Sequence, residues 1–149
     1  MAKFKYGMQN ILNIKEKLET QARNEFAEAR LHLDEEEEKM QALVDRRTFY
    51  EQEGRSMREN AINIQDLADN QYAIDRMDDY IADQKIRVEE AEDLLELARR
   101  RLQEAMQETK IHTKLRERAF EEFKKELIAQ ESKEVDELTS YTYGRKVAK

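Results

Sequence analysis

The sequence predicts an all-α protein, two long helices folded into an antiparallel coiled-coil hairpin, and three observations carry that expectation. The 149 residues hold no Pro and only three Gly, so turn punctuation is nearly absent. Ala, Glu, Lys, Leu and Arg fill more than half of the positions, the usage of long helices and coiled coils. Apolar residues recur in alternating steps of three and four, the a/d spacing of a heptad repeat. With 41% charged residues the chain would read as disordered if its apolar residues were scattered. They are not.

The first helix is expected from about residue 4 to about 57, on the order of 80 Å at 1.5 Å per residue. Its seam reads Phe26, Ala29, Leu33, Glu36, Met40, Leu43, Arg47, Tyr50, Gly54 and Met57. A further run, Phe4, Met8, Ile11, Lys15, Leu18 and Ala22, joins that seam through consecutive steps of four around Ala22. Such spacing is a stutter and predicts local unwinding of the supercoil. The seam then fails at Gly54 and Arg58-Glu59-Asn60, which places the tip at about 54–63. Asn63 is the predicted N-cap of the second helix, and Asp66 puts negative charge in its first turn. A connection this short makes antiparallel neighbours.

The second helix is expected over about 64–139 and carries the clearer signal. Ile74, Met77, Ile81, Gln84, Val88, Ala91, Leu95, Ala98, Leu102 and Ala105 keep the heptad steps unbroken, with Gln84 the one polar member. Beyond Ala105 the spacing loosens to Ile111, Leu115, Ala119, Phe123 and Leu127, then Val135 and Leu138. The last turns should overhang the shorter first helix and end in a flexible C-terminal tail. Exposed faces offer i,i+4 pairs at Glu35–Lys39, Glu51–Arg55, Asp83–Arg87, Glu96–Arg100 and Glu121–Lys125. The whole chain, 1–149, reads as one coiled-coil domain.

Composition narrows the function. No stretch has the apolar length to span a bilayer, and the start MAKFKYGMQN lacks the core of a signal peptide. The expected location is therefore cytoplasmic, without direct membrane insertion. A net charge of −7 opposes general nucleic-acid binding. No Gly-rich phosphate loop or Cys nucleophile is present. His32 with Glu36 one turn on would make two ligands on an exposed helix, a poor metal site, and both histidines read as ordinary surface residues. Neither catalytic residues, nor a metal, nor a cofactor is expected: the chain is not read as an enzyme. The aromatics Phe49, Tyr72 and Tyr80 fall beside the seams toward the tip, either packing along the coiled-coil groove or facing a partner.

Three segments carry a family resemblance. Phe4-Lys5-Tyr6 with Met8-Gln9-Asn10-Ile11-Leu12-Asn13-Ile14-Lys15-Glu16-Lys17-Leu18-Glu19 is similar to the start of the FliJ family of flagellar type III export proteins. Asn70-Gln71-Tyr72, with Ile74, Met77 and Ile81, resembles the start of that family's second helix. Glu131-Ser132-Lys133-Glu134-Val135-Asp136-Glu137-Leu138 resembles its C-terminal pattern. The resemblance spans essentially the whole chain.

It implies a hairpin like the coiled coil of a rotary ATPase γ subunit. The end carrying the termini would dock in a hexameric flagellar export ATPase. The chain would also contact the membrane-embedded export gate and recruit substrate-specific export chaperones, placing it peripherally at the inner face of the membrane. The gate-facing set implied on the tip side is Lys39, Leu43, Arg46, Phe49, Tyr50, Tyr72, Met77, Tyr80 and Gln84; Arg46 departs from the aromatic frequent in the family there. The ATPase-facing set is Met8, Ile11, Lys15, Leu18, Phe123, Leu127 and Leu138. The corresponding stalk of a virulence-type secretion system, and a generic coiled-coil scaffold, stay open as alternatives.

Overall fold

The structure, a computed structural model, describes residues 2–60 and 63–147. It is an antiparallel coiled-coil hairpin of two long helices, α1 (Gln9–Glu59) and α2 (Ile64–Val147), with no strand among the described residues. Two compact units are distinguished, Met1–Glu19 with Glu104–Lys149, and Thr20–Gln103.

In the unit Thr20–Gln103 the predicted seams are the packed faces. Every seam residue of α2 from Ile74 to Ala98 is buried or half-buried, and so is every one of α1 from Phe26 to Met57. The buried apolar positions are Ala22, Leu33, Ile74, Ala91 and Ala98, each a small or a branched residue. Polar members of the seam find partners. Gln84, 3% exposed, donates to the Glu36 carbonyl at 2.9 Å and to Glu36 Oε2 at 2.5 Å. Arg47 reaches across to Asp78 at 2.5 Å and along its own helix to Glu51. Of the five i,i+4 pairs expected, Glu96–Arg100 forms at 3.3 Å. Lys39 instead turns to Glu36 at 3.4 Å, a partner three residues away.

The tip differs from expectation at its first residue. Gly54 is not a turn: it lies buried inside α1, with a helical φ. A Cβ there would sit 2.5 Å from Asn70 Oδ1, so any side chain at this position has to displace the Asn70 amide. Asn70 is itself fixed, donating Nδ2–H to the Tyr50 carbonyl at 2.8 Å. The helix runs on to Glu59, leaving residues 60–63 as the connection; Ala61 and Ile62, within the tip expected over 54–63, lie outside the described residues. Asn63 caps α2 as predicted, its Oδ1 accepting from the backbone N–H of Gln65 at 3.0 Å and Asp66 at 3.4 Å.

In the unit Met1–Glu19 with Glu104–Lys149 the register departs from the predicted one. The seam of α1 uses Leu12, Lys15 and Glu19, while Met8, Ile11 and Leu18 are exposed. With Ala22 and Phe26 following, the three/four alternation is continuous and the predicted stutter disappears. Glu19, a charged seam residue, hid it. Lys15 reaches Glu108 at 3.3 Å, and its carbonyl accepts from Thr109 Oγ1 at 3.2 Å. On α2 the half-buried residues are Ala105, Thr109, His112, Thr113, Ala119, Phe123 and Leu127, whereas Ile111 and Leu115 face outward. His112 is therefore not a surface histidine: its Nδ1 is buried without a hydrogen-bond partner.

The helix start also differs. Residues 4–8 are not helical, and Gln9 N–H bonds the Tyr6 carbonyl at 3.1 Å to open α1. This non-helical segment lets the Phe4 ring reach Phe120 and Phe123, with centroids 5.1 and 5.5 Å apart. At the other terminus α2 continues to Val147 instead of stopping near 139; where a flexible tail was expected the helix goes on, and Thr142 Oγ1 bonds back to the Leu138 carbonyl at 2.9 Å.

Candidate functional site

An open concavity lies in the unit Thr20–Gln103, between about two turns of α1 and the facing stretch of α2. It is an open groove of about 670 Å³. Helical spacing explains it: Lys39, Ala42, Leu43 and Arg46 share one side of α1, and Tyr80, Asp83, Gln84 and Arg87 share one side of α2. The small side chain of Ala42 opens the floor beside Leu43. Gln84 closes the bottom, and its two hydrogen bonds to Glu36 fix it there.

Five of the nine gate-facing candidates line this groove: Lys39, Leu43, Arg46, Tyr80 and Gln84. Tyr50 and Met77 are half-buried seam residues and not part of its lining. Phe49 and Tyr72 are 57% and 66% exposed, so neither packs in the coiled-coil groove as flanking residues would. Three lining residues escaped the sequence reading: Ala42, Asp83 and Arg87. Asp83 and Arg87 stand at the position before Gln84 and three beyond it, so a helical projection of the Gln84 flank would have found them.

Cations dominate the rim. Arg46 donates Nε–H to the Tyr50 hydroxyl at 3.1 Å, with its guanidinium 5.5 Å from that ring centroid. On α2 Arg76 stands in the same relation to Tyr80, at 3.4 Å from the hydroxyl and 5.5 Å from the ring. Each arginine holds its tyrosine in one orientation. Below the rim, the hydrogen bond from Gln84 holds the Glu36 carboxyl under the usual carboxylate range, although burial pushes the other way. Glu36 therefore stays ionised and compensates Lys39.

The second set of candidates lies in the unit Met1–Glu19 with Glu104–Lys149. Met8, Ile11 and Leu18 are exposed on α1, while Lys15, Phe123 and Leu127 pack the helices together. Leu138 is 70% exposed. It belongs to a stretch, residues 128–145, in which every residue is exposed, apolar Ile128, Val135, Tyr141 and Tyr143 among them. Phe4 and Phe120 join Phe123 in the aromatic cluster; the predicted seams held Phe4 and Phe123 but not Phe120.

Among the described residues no cluster of three or more His, Cys, Asp or Glu could hold a metal ion, and no helix is long and apolar enough to cross a membrane. His32 and Glu36 do not form a site, because Glu36 is committed to Gln84 and Lys39.

The flagellar FliJ protein family matches residues 4–148, nearly the whole chain. The chain belongs to the FliJ family. Membership places it among the coiled-coil proteins of flagellar type III protein export. The FliJ fold seen here is also that of a solved structure assigned as a YscO homologue, CT670 of Chlamydia trachomatis. The two superpose with a TM-score of 0.52 at 19% identity, over 99% of each chain. Among curated proteins none matches.

Proposed function

We propose that this chain is a non-catalytic stalk and chaperone-escort component of the flagellar export apparatus, linking the hexameric export ATPase to the membrane export gate. The observation that supports the reading is that each of the two units carries exposed apolar side chains, and that in each some of them fall on the face the family resemblance implies. One such surface is the groove with its aromatic neighbours Phe49, Tyr72 and Tyr80, in the unit Thr20–Gln103. The other is the bare apolar stripe of residues 128–143 with Met8, Ile11 and Leu18. A highly charged chain that leaves two such surfaces uncovered is suited to two partners. The gate takes the first and the ATPase ring the second.

The mechanism is mechanical. Heptad packing from Ile74 to Ala98 makes one segment stiff, while residues 128–145 are exposed throughout, with no described helix covering them to constrain how they fit a ring. Seated asymmetrically, such a helix biases subunit association and nucleotide cycling in the ATPase. The chain works at the inner face of the cell membrane, held there through its partners, and recruits empty export chaperones. Match to the flagellar family favours this over a virulence-type stalk. Co-purification of the full chain with the flagellar export ATPase and with a soluble fragment of the gate tests the reading. Capture of both supports it; capture of neither leaves a coiled-coil scaffold.

A further inference from the structure

We infer that the groove between α1 and α2 recognises a short acidic segment of the gate, carrying one large apolar side chain flanked by carboxylates. This rests on reading the groove as the gate-facing surface and specifies the chemistry that surface selects.

The argument is one of charge and shape. The whole chain carries −7, yet the groove is lined by three cations, Lys39, Arg46 and Arg87, and one carboxylate, Asp83; Lys39 is paired with Glu36 below, which leaves Arg46 and Arg87 as the cations that meet a ligand. Arg87 and Asp83, four residues apart, form no ion pair with each other or with any other described residue. An arginine left unpaired beside an apolar floor offers a planar fork of donors that matches a carboxylate in two hydrogen bonds. Arg46 spends its Nε–H on Tyr50, which holds the guanidinium at the rim. Beneath these groups the floor is Leu43 and Ala42, with the half-exposed ring of Tyr80 as one wall. That combination, an apolar seat under a cationic rim, fits an apolar anchor with acidic neighbours.

A long polyanion does not fit. The groove is bordered in sequence by Glu35, Glu37 and Glu38 on α1 and by Asp75, Asp78 and Asp79 on α2, all exposed. Carboxylates therefore stand toward both ends of the groove, and a nucleic acid or an anionic membrane running past it would meet repulsion there. A peptide a few residues long does not.

The test uses the full chain and three synthetic peptides: one Phe flanked on each side by two Glu, the same with Lys for Glu, and the acidic one with Ala for Phe. Binding is read by fluorescence anisotropy and located by amide chemical shifts. The acidic Phe peptide should bind at the groove about tenfold or more tighter than either other peptide, a factor within reach of two close charge pairs. Arg46→Glu with Arg87→Glu, both exposed and checked for unchanged helicity, should abolish that preference. Equal affinity for the acidic and basic peptides, or no binding of the acidic one, overturns the inference. The gate fragment separates it from the functional reading. If the chain captures the fragment and the double variant captures it equally well, the proposed chemistry fails while the gate assignment stands. If the acidic peptide binds at the groove and the fragment does not, the gate assignment fails and the groove chemistry stands.

Discussion

Gln84 of α2 binds Glu36 of α1 twice across the seam, at the backbone carbonyl and at the carboxylate. Both residues occupy core positions of their heptads, and both are under 7% exposed. A buried polar pair at one seam position specifies register, because any slip of a residue or a heptad strands the carboxylate among apolar side chains. Glu36→Gln retains an acceptor for the amide and should keep the fold. Gln84→Leu removes the donors and leaves a buried carboxylate, so its melting temperature should fall well below that of Glu36→Gln. Pairing the two changes should recover part of the loss. Thermal melts of the three variants check the ordering.

Stability should also fall on the acid side, with a sign fixed by two carboxylates. Glu96 is held at about 2 by hydrogen bonds from Arg99, and then Arg100, against a usual value of 4.5; Glu36 is held low by Gln84. In the unfolded chain both bind protons more readily. Their stabilisation is therefore present above the usual carboxylate range and is lost as pH falls from about 4.5 toward 2. Melting temperature against pH should flatten over that window in Glu96→Gln, and again in Glu36→Gln. Because Glu96 is half-exposed, salt should shrink its share.

The corrected register makes a prediction opposite to the one the sequence suggests. Leu12→Ala, at a site 4% exposed, should destabilise by about 2–4 kcal/mol, the large-to-small cost in a packed site. Ile11→Ala, on the outward face, should cost only a few tenths. Chemical denaturation of the two variants decides between the registers.

Gly54 yields a fourth test. Alanine is the better helix former by about 1 kcal/mol, yet here its methyl would press on Asn70, whose side chain is anchored to Tyr50. Gly54→Ala should destabilise by about 1–3 kcal/mol, the cost of overpacking. Asn70→Ala in the same chain should relieve the crowding, so the double variant is more stable than the two single losses added.

These residues also show how far the sequence was legible. Heptad spacing located the packed faces in the unit Thr20–Gln103, and between Ile74 and Ala98 it did so at every seam residue, even carrying Gln84 along. It failed toward the termini. Lys15 was placed on the seam, but Glu19 read as surface, and the predicted face ran through Ile11 and Leu18 in place of Leu12 and Glu19. Gly54 failed for another reason: a glycine packed against a neighbouring helix looks, in one dimension, like a turn. The groove was half legible, since Tyr80 and Gln84 stood out and Arg87 did not. Nothing in the spacing of α2 announces which exposed cation will lack a partner once Asp83 has chosen its rotamer.

The central claim is that separate surfaces of one chain serve the ring and the gate, and a paired binding assay on folded variants tests it most directly. Tyr72→Ala with Tyr80→Ala should weaken capture of the gate fragment, by about 1–2 kcal/mol or more per anchoring aromatic, and leave ATPase binding unchanged. Met8, Ile11, Leu18 and Leu138, all exposed and changed together to Ala, should weaken ATPase binding and leave gate capture unchanged. Equal effects of either set on both partners, or no effect on either, would contradict the stalk and favour a scaffold with no ATPase partner.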